Sequence, residues 1–467
     1  MATIQEAGVT READVALQPT RQQTYKLIVA TLAIVLIGLG VGAASRLFAG
    51  ASSGAYNPQA INTGDTAWVL AASALVMIMT PAVGFFYGGM VRSKNVISVI
   101  KQSIVILSLI SIQWVLFGYS LVFGKDIGGV IGGLNFAGLM GVGYAPNAAY
   151  AATIPQLAFM IFQAMFAIIT PALIIGSFAE RIRFRTLIVF VLLWATLVYD
   201  PIAHWVWGVG GWLRNLGALD FAGGTVVHIS AGFAGLAAAL IIGRRLGTKP
   251  GDAMPANNVP LTLLGAALLW FGWFGFNAGS ALSASPLAVN AFVVTNTAAA
   301  ACALTWMALS WIENKKPSAL ATATGLVCGL VAITPASGFV GPMASIAIGI
   351  IAGGVTYLAV FLRSKKARVD DTLDVWAAHG MGGLVGALLT GVFAEKVINS
   401  AGANGLLFGN PRQFLTQLIA VAVTATYSFV VTLLLFMLLS RFKLRVSDKE
   451  ELEGLDQAAH GEDAYRL

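Results

Sequence analysis

The sequence predicts an all-α polytopic membrane protein. Eleven transmembrane helices are expected, ten of them as a 5+5 inverted repeat, after an N-terminal signal peptide or extra helix. Three observations carry this. Of 467 residues, 57% are hydrophobic and only 10% charged, where a soluble domain carries about a quarter charged residues. The connections between apolar runs alternate between basic and nearly uncharged. One sparse pattern, D-x7-H-x3-G-x2-G, occurs twice: Asp220, His228, Gly232, Gly235, and then Asp371, His379, Gly383, Gly386.

The N-terminus comes first. Residues 27–44 form an apolar run after Arg21 and Lys26, and Ala49-Gly50-Ala51 resembles a small-residue cleavage site. Residues 1–51 therefore read as a signal peptide, the favoured reading, or as a retained helix entering from the cytoplasm. Both put residue 60 outside.

Apolar segments follow at 66–90, 97–124, 154–178, 185–207, 222–243, 260–279, 288–312, 318–339, 342–362, 377–394 and 413–440. A helix needs ~20 residues to cross the hydrocarbon core. Arg92, Lys94 and Lys101 follow the first span, and Arg181, Arg183 and Arg185 the third. Arg244, Arg245 and Lys249 follow the fifth, and Lys315 and Lys316 the seventh. Arg363, Lys365, Lys366 and Arg368 follow the ninth, and Arg441, Lys443 and Arg445 the eleventh. The other connections hold only Lys125, Arg214, Lys396 and Arg412. Basic loops stay in the cytoplasm, so the first span starts outside and the C-terminus ends inside. The net charge of +7 is thus a topology signal, with no nucleic acid implied. Spans one to five and six to ten each hold one copy of the Asp/His pattern. Five is odd, so the second copy is inverted in the membrane, a recurring transporter design. Glycine is abundant, at 52 residues, which suits close helix packing in lipid. Cys302 and Cys328 lie in apolar runs without disulfide or metal spacing.

An ionisable residue inside a membrane helix is a functional hypothesis by default. A lone histidine is ordinarily a satisfied core residue, but His228 and His379 sit at matching points of two repeats. Facing imidazoles share one proton and can pass it near neutral pH. Each lies eight residues, ~12 Å of helix, beyond an acid. Asp220 and Asp371 are expected at helix starts, accepting backbone N–H groups at the positive dipole end. His204 has no repeat partner and reads as structural. A nucleophile elbow, HExxH and an acidic metal cluster are all missing, so no enzyme, metal or cofactor is expected.

Several stretches resemble the ammonium transporter (Amt/Mep/Rh) family, on its Amt branch. They are Phe85-Phe-Tyr-Gly-Gly89, Ala179-Glu-Arg-Ile-Arg-Phe184, Asp220 to His228, Gly272-Trp-Phe-Gly-Phe-Asn-Ala-Gly-Ser280, Thr334-Pro335 and Asp374-Val-Trp-Ala-Ala-His379. The resemblance runs from about residue 64 to the end with motif order preserved. It implies ammonium or ammonia uptake through the cytoplasmic (inner) membrane by a homotrimer, for nitrogen uptake. It further implies an outer cation site of Phe162, Phe166, Trp207 and Ser280, a gate of Phe166 and Phe276, and a pore lined by His228, His379 and Trp273. The channel domain would span 60–440, with repeat one at 64–245, repeat two at 258–397 and the eleventh helix at 413–440. Residues 441–467 would be a cytoplasmic regulatory tail where a PII-type signal protein docks; Gly454, Leu455, Asp456, His460, Gly461, Glu462 and Tyr465 match it. One departure is an extra residue in Trp207-Gly-Val-Gly-Gly-Trp212, before Asp220. The alternative is an ammonium sensor signalling through its tail. The short tail shows no kinase or cyclase domain, which argues for the transporter.

Overall fold

The structure, a computed structural model, describes residues 21–48, 58–250, 252, 254–366 and 369–465. The chain divides into two units, Met1–Gly50 and Ala51–Leu467. The first contains α1 (Arg21–Phe48), whose stretch Tyr25–Ala44 is long and apolar enough to cross a membrane. Ala51, in the expected cleavage motif with Ala49 and Gly50, lies like them outside the described residues.

In lipid the backbone has no partner but itself, so apolar segments of spanning length fold as helices. The second unit contains α2 (Thr63–Met90), α3 (Ser93–Phe123), α4 (Gln156–Phe178), α5 (residues 184–207) and α6 (Gly224–Ile242). The second repeat follows as α7 (Val259–Gly279), α8 (Pro286–Asn314), α9 (Ala319–Ile333), α10 (Pro342–Lys366) and α11 (Trp376–Phe393). Helix α12 (Pro411–Ser440) is the last of these eleven helices, ten of which are long and apolar enough to cross a membrane, and packs across α6, α11 and α5.

The expected span at 318–339 ends early. Helix α9 has 15 residues and stops at Ile333, ~22 Å of rise against a hydrocarbon core of ~30 Å. Thr334 keeps helical backbone angles, φ −51° and ψ −48°, but Pro335 lacks the N–H that the next rung of the helix would need. The stretch 334–338 carries no charge and is short, so an apolar count over a whole span runs through the break. The turn from Thr334 to Val340 that follows is buried. Its polar groups find protein partners: the Phe221 N–H donates to Pro335 O at 3.2 Å and the Trp273 indole N–H to Thr334 Oγ1 at 2.9 Å. Irregular backbone at membrane depth survives only when protein satisfies it in this way.

Glycine sets how closely the repeats approach. Helices α2 and α7, the first of each repeat, pack along each other. A Cβ at Gly265 would stand 2.3 Å from Phe86 N, and one at Gly275 2.7 Å from Ala72 O. Helices α6 and α11, the last of each repeat, cross in the same manner.

The expected basic loops converge on one face, called here the basic face. Arg245 makes a two-pronged contact with Asp370, both prongs 2.9 Å, and Arg92 Nε lies 2.6 Å from Glu180. Burial alone would raise the Asp370 carboxyl, but the Arg245 hydrogen bonds and the Arg181 charge hold it well below the usual carboxylate range. Burial lowers the Arg181 guanidinium to about 10.

The tail folds back onto this face. Ser447 and Glu450 form a capping box that starts α13 (Asp448–Glu453), and Gly454 turns the chain at φ 109°. Asp456 then accepts the N–H groups of Ile97 (3.1 Å) and Ser98 (2.7 Å), capping α3 from more than 350 residues away. Glu451 accepts the Leu246 N–H at 2.7 Å and pairs with Arg445 at 2.7 Å. The Tyr465 hydroxyl donates to Asn257 at 2.8 Å, and His460 packs edge-on against Phe184.

Candidate functional site

Helices α6 and α11 each begin with a π-helical turn, Gly224–Ile229 and Trp376–Met381. A π-turn carries one extra residue and re-aims the side chains it bears, and such turns are frequent at functional sites. These two carry His228 and His379. Their Nδ1 atoms lie 3.3 Å apart and the rings are within 17° of parallel. One Nδ1 must donate and the other accept, so the pair holds one proton between its facing nitrogens. Both are buried, and His228 Nε2 has no partner among the described residues.

The glycines of the repeated pattern explain the approach. A Cβ on Gly232 would lie 2.1 Å from Gly380 N, and one on Gly383 2.8 Å from Gly224 O and 3.0 Å from His228 Cβ. Each repeat thus presents the glycine four residues past its histidine to the other's histidine turn.

The two acids differ. Asp220 accepts the N–H groups of Gly223 (2.8 Å), Gly224 (2.6 Å), Thr225 (2.8 Å) and Val226 (3.2 Å), and the Thr225 hydroxyl. Among the described residues the Asp371 carboxylate accepts only the Trp376 N–H, at 2.8 Å, and its buried Oδ1 has no partner. His204 is elsewhere, its ring nitrogens 2.7 Å from Val122 O and 2.9 Å from Asp126.

Aromatic rings continue from the histidines toward the face opposite the basic loops. His228 stacks on Trp273 at 5.3 Å and lies 5.9 Å from Phe276. Phe276 meets Phe166 at 4.4 Å, the two rings tilted by 40°. Beyond Phe166 opens a cavity of about 210 Å³ whose lining includes Trp207, Ser280, Tyr150, Gln163 and Arg214. Phe166, Trp207 and Ser280 share this cavity, but Phe162 does not line it. Phe162 is wholly buried, 5.0 Å from Phe166, and fills the space that Gly279 leaves. It backs the wall, because its position on α4 faces α7 across that glycine.

On the basic side a narrow space holds both histidines, Trp273 and Phe276, and a cavity of about 260 Å³ reaches from His379 past Asp374 and Arg363 to the basic loops. The order along this line is cavity, phenylalanine pair, histidine pair, cavity. Among the described residues no group of histidine, cysteine and acids could hold a metal.

Sequence reasoning missed Gln163, Tyr150 and Arg214. The buried amide oxygen of Gln163 has no partner among the described residues. A glutamine within an apolar span was the available signal. Tyr150 and Arg214 lie in connections that meet only in three dimensions.

The family model described as Ammonium Transporter Family matches residues 67–465. An ammonium transporter of Bacillus subtilis (strain 168) is 51% identical over 404 residues, 86% of this chain and 98% of that protein. Ammonium transporter Amt1 of Archaeoglobus fulgidus is 51% identical over 406 residues, 87% of this chain and all of that protein. The crystal structure of Saccharomyces cerevisiae Mep2 is similar with TM-score 0.79 at 36% identity, covering 84% of this chain and 89% of that one. A sensor Amt protein is similar with TM-score 0.77 at 32% identity, covering 85% and 98%.

Proposed function

The chain belongs to the ammonium transporter family, and on that premise we propose that it carries ammonium nitrogen across the inner membrane into the cytoplasm. The observation that carries this reading is the buried histidine pair set between a closed aromatic constriction and a cavity on the basic face.

In this reading the opposite cavity is outer and recruits the cation. Aromatic faces attract cations, by ~0.5–1 kcal/mol when exposed and ~2 when desolvated; Phe166 and Trp207 supply them. The Ser280 hydroxyl donates to Phe276 O at 2.8 Å, so its lone pairs remain to accept an ammonium N–H. Phe162 supports the wall from behind. Phe166 and Phe276 form a gate that resists hydrated ions. An unpaired charge is far costlier than a neutral molecule in the apolar space beyond. His228 and His379, with Trp273 beside them, supply the polar atoms there that hold or pass a proton. Asp220 and Asp371 hold the starts of the two histidine helices.

The remaining expectations belong to the same reading. Residues 60–440 form the channel domain of a homotrimer, and 1–51 a signal peptide or extra helix. The C-terminus is cytoplasmic, the mature N-terminus is outside, and 441–467 form a regulatory tail that meets a PII-type protein. A second reading, an ammonium sensor signalling through that tail, draws on the likeness to the sensor Amt protein.

The test is growth of a microbe lacking ammonium carriers, at low ammonium and mildly acidic pH, paired with ammonium-evoked current from purified protein in supported bilayers. Rescue with current supports transport. Inserted protein giving neither sinks it, and the sensor reading then takes its place.

A further inference from the structure

The outer cavity already contains a tethered cation. The Arg214 guanidinium lies 5.9 Å from the centre of the Tyr150 ring, and Tyr150, Arg214, Phe166, Trp207 and Ser280 line the same cavity. Its Nη1 donates to Trp207 O at 2.7 Å, fixing it beside the proposed recruiting indole. Trp207 is held in turn, its indole N–H donating to Asp220 O at 3.0 Å.

The nearby acids are bonded to other groups. Arg214 forms no ion pair among the described residues. Asp126 is occupied, accepting the Gly129 N–H at 2.8 Å and lying 2.9 Å from His204 Nε2. The Asp220 carboxylate is directed at the start of α6, where it accepts five hydrogen bonds, and not at the guanidinium.

We propose that Arg214 sets the cation affinity and charge selectivity of the outer cavity. This rests on reading that cavity as the recruiting site. A cation entering it meets a fixed positive charge and a Tyr150 face already engaged. The guanidinium therefore raises the ammonium concentration that half-fills the cavity. It acts on a doubly charged cation twice as strongly as on a singly charged one, favouring monovalent over divalent occupants. Arg214 is exposed at the rim, so solvent screens its effect and salt removes it.

The experiment compares ammonium currents of wild type, Arg214→Gln, Arg214→Lys and Trp207→Leu in proteoliposomes on supported membranes. Each is measured at low and high sodium chloride, with ethylenediammonium as a divalent inhibitor. At ~10 mM salt, where the screening length is ~30 Å, Arg214→Gln should half-saturate at about two- to fivefold lower ammonium. At ~1 M, where that length is ~3 Å, its ratio to wild type should approach one. Arg214→Lys, which keeps the charge and loses the fork, should stay near wild type. Ethylenediammonium should inhibit Arg214→Gln more strongly than wild type. An Arg214→Gln half-saturation equal to wild type at low salt overturns the proposal. Equal shifts in the Gln and Lys variants also overturn it, since the hydrogen bond and not the charge would then matter. If Trp207→Leu shifts while the Arg214 variants do not, the outer-cavity reading stands and this proposal falls. If Trp207→Leu too is unshifted, the outer-cavity reading falls with it.

Discussion

His228 and His379 make few bonds and so hold much functional freedom. Replacing either with leucine removes the polar atoms between gate and exit while keeping the volume filled, which limits the cost to folding. The expected outcome is loss of proton-coupled ammonium current or entry of potassium, read in the same bilayer assay. Wild-type current with potassium still excluded would make the pair structural. Asp220 is the contrast, since its bonds are all local and structural. Asp220→Ala leaves buried N–H groups unpaired at about 1–3 kcal/mol each, so the detergent-solubilised protein should melt several degrees lower. Asp220→Asn, which keeps an acceptor oxygen, should lose less, and equal melting of both would contradict this. The histidines were legible because repetition turned two ordinary residues into a pair. The inequality of Asp220 and Asp371 was not, because equal spacing says nothing of how many amides converge on each carboxylate. Nor was the set-back of Phe162, which depends on where Gly279 lies across the helix contact.

Helices α6 and α11 meet where Gly232 faces Gly380, and a Cβ there would stand 2.1 Å from backbone. Backbone cannot yield as a side chain can, so Gly232→Ala must spread the two helices and separate the histidines they carry. At Gly354 of α10 an added Cβ would meet nothing within 4 Å; Gly354→Ala gains ~1 kcal/mol of helix propensity. The expectation is that Gly232→Ala loses ammonium current and elutes as destabilised protein in size-exclusion chromatography. Gly354→Ala should match wild type in both. Current retained by Gly232→Ala would show that the crossing has slack. Element positions were largely legible from apolar runs and basic loops, since both follow from the thickness and polarity of a bilayer. The end of α9 at Ile333 was legible in the cluster Thr334-Pro-Ala-Ser-Gly338, a turn signal that a span-length hydropathy count averages away. The π-turns carrying the histidines leave no composition trace, because one extra residue per turn changes no residue type.

At the scale of the whole molecule, the tail joins connections that are distant in sequence. Asp456 caps α3, Glu451 reaches the α6–α7 connection, and Tyr465 reaches Asn257 ahead of α7. Deleting 451–467, or substituting Asp456→Ala, should loosen the basic face and change the transport rate, and the deletion should abolish capture of a PII-type protein. Normal current together with retained capture would make the tail dispensable. Its motif was legible from family resemblance, but its role as a distant cap was not, since Asp456 and Ser98 are 358 residues apart. The crossing of α6 and α11 has one more consequence, concerning motion. Many carriers work by tilting one half against the other, which requires a seam that can slide. Here the two halves touch backbone to backbone at the point where the substrate would pass, and close-packed interiors resist such shear. If Phe166 and Phe276 are the gate, opening it asks only for movement of two side chains and not of two halves. Side-chain rotations take far less time than domain rocking, so on the transport reading the seam would stay shut while only side chains swing.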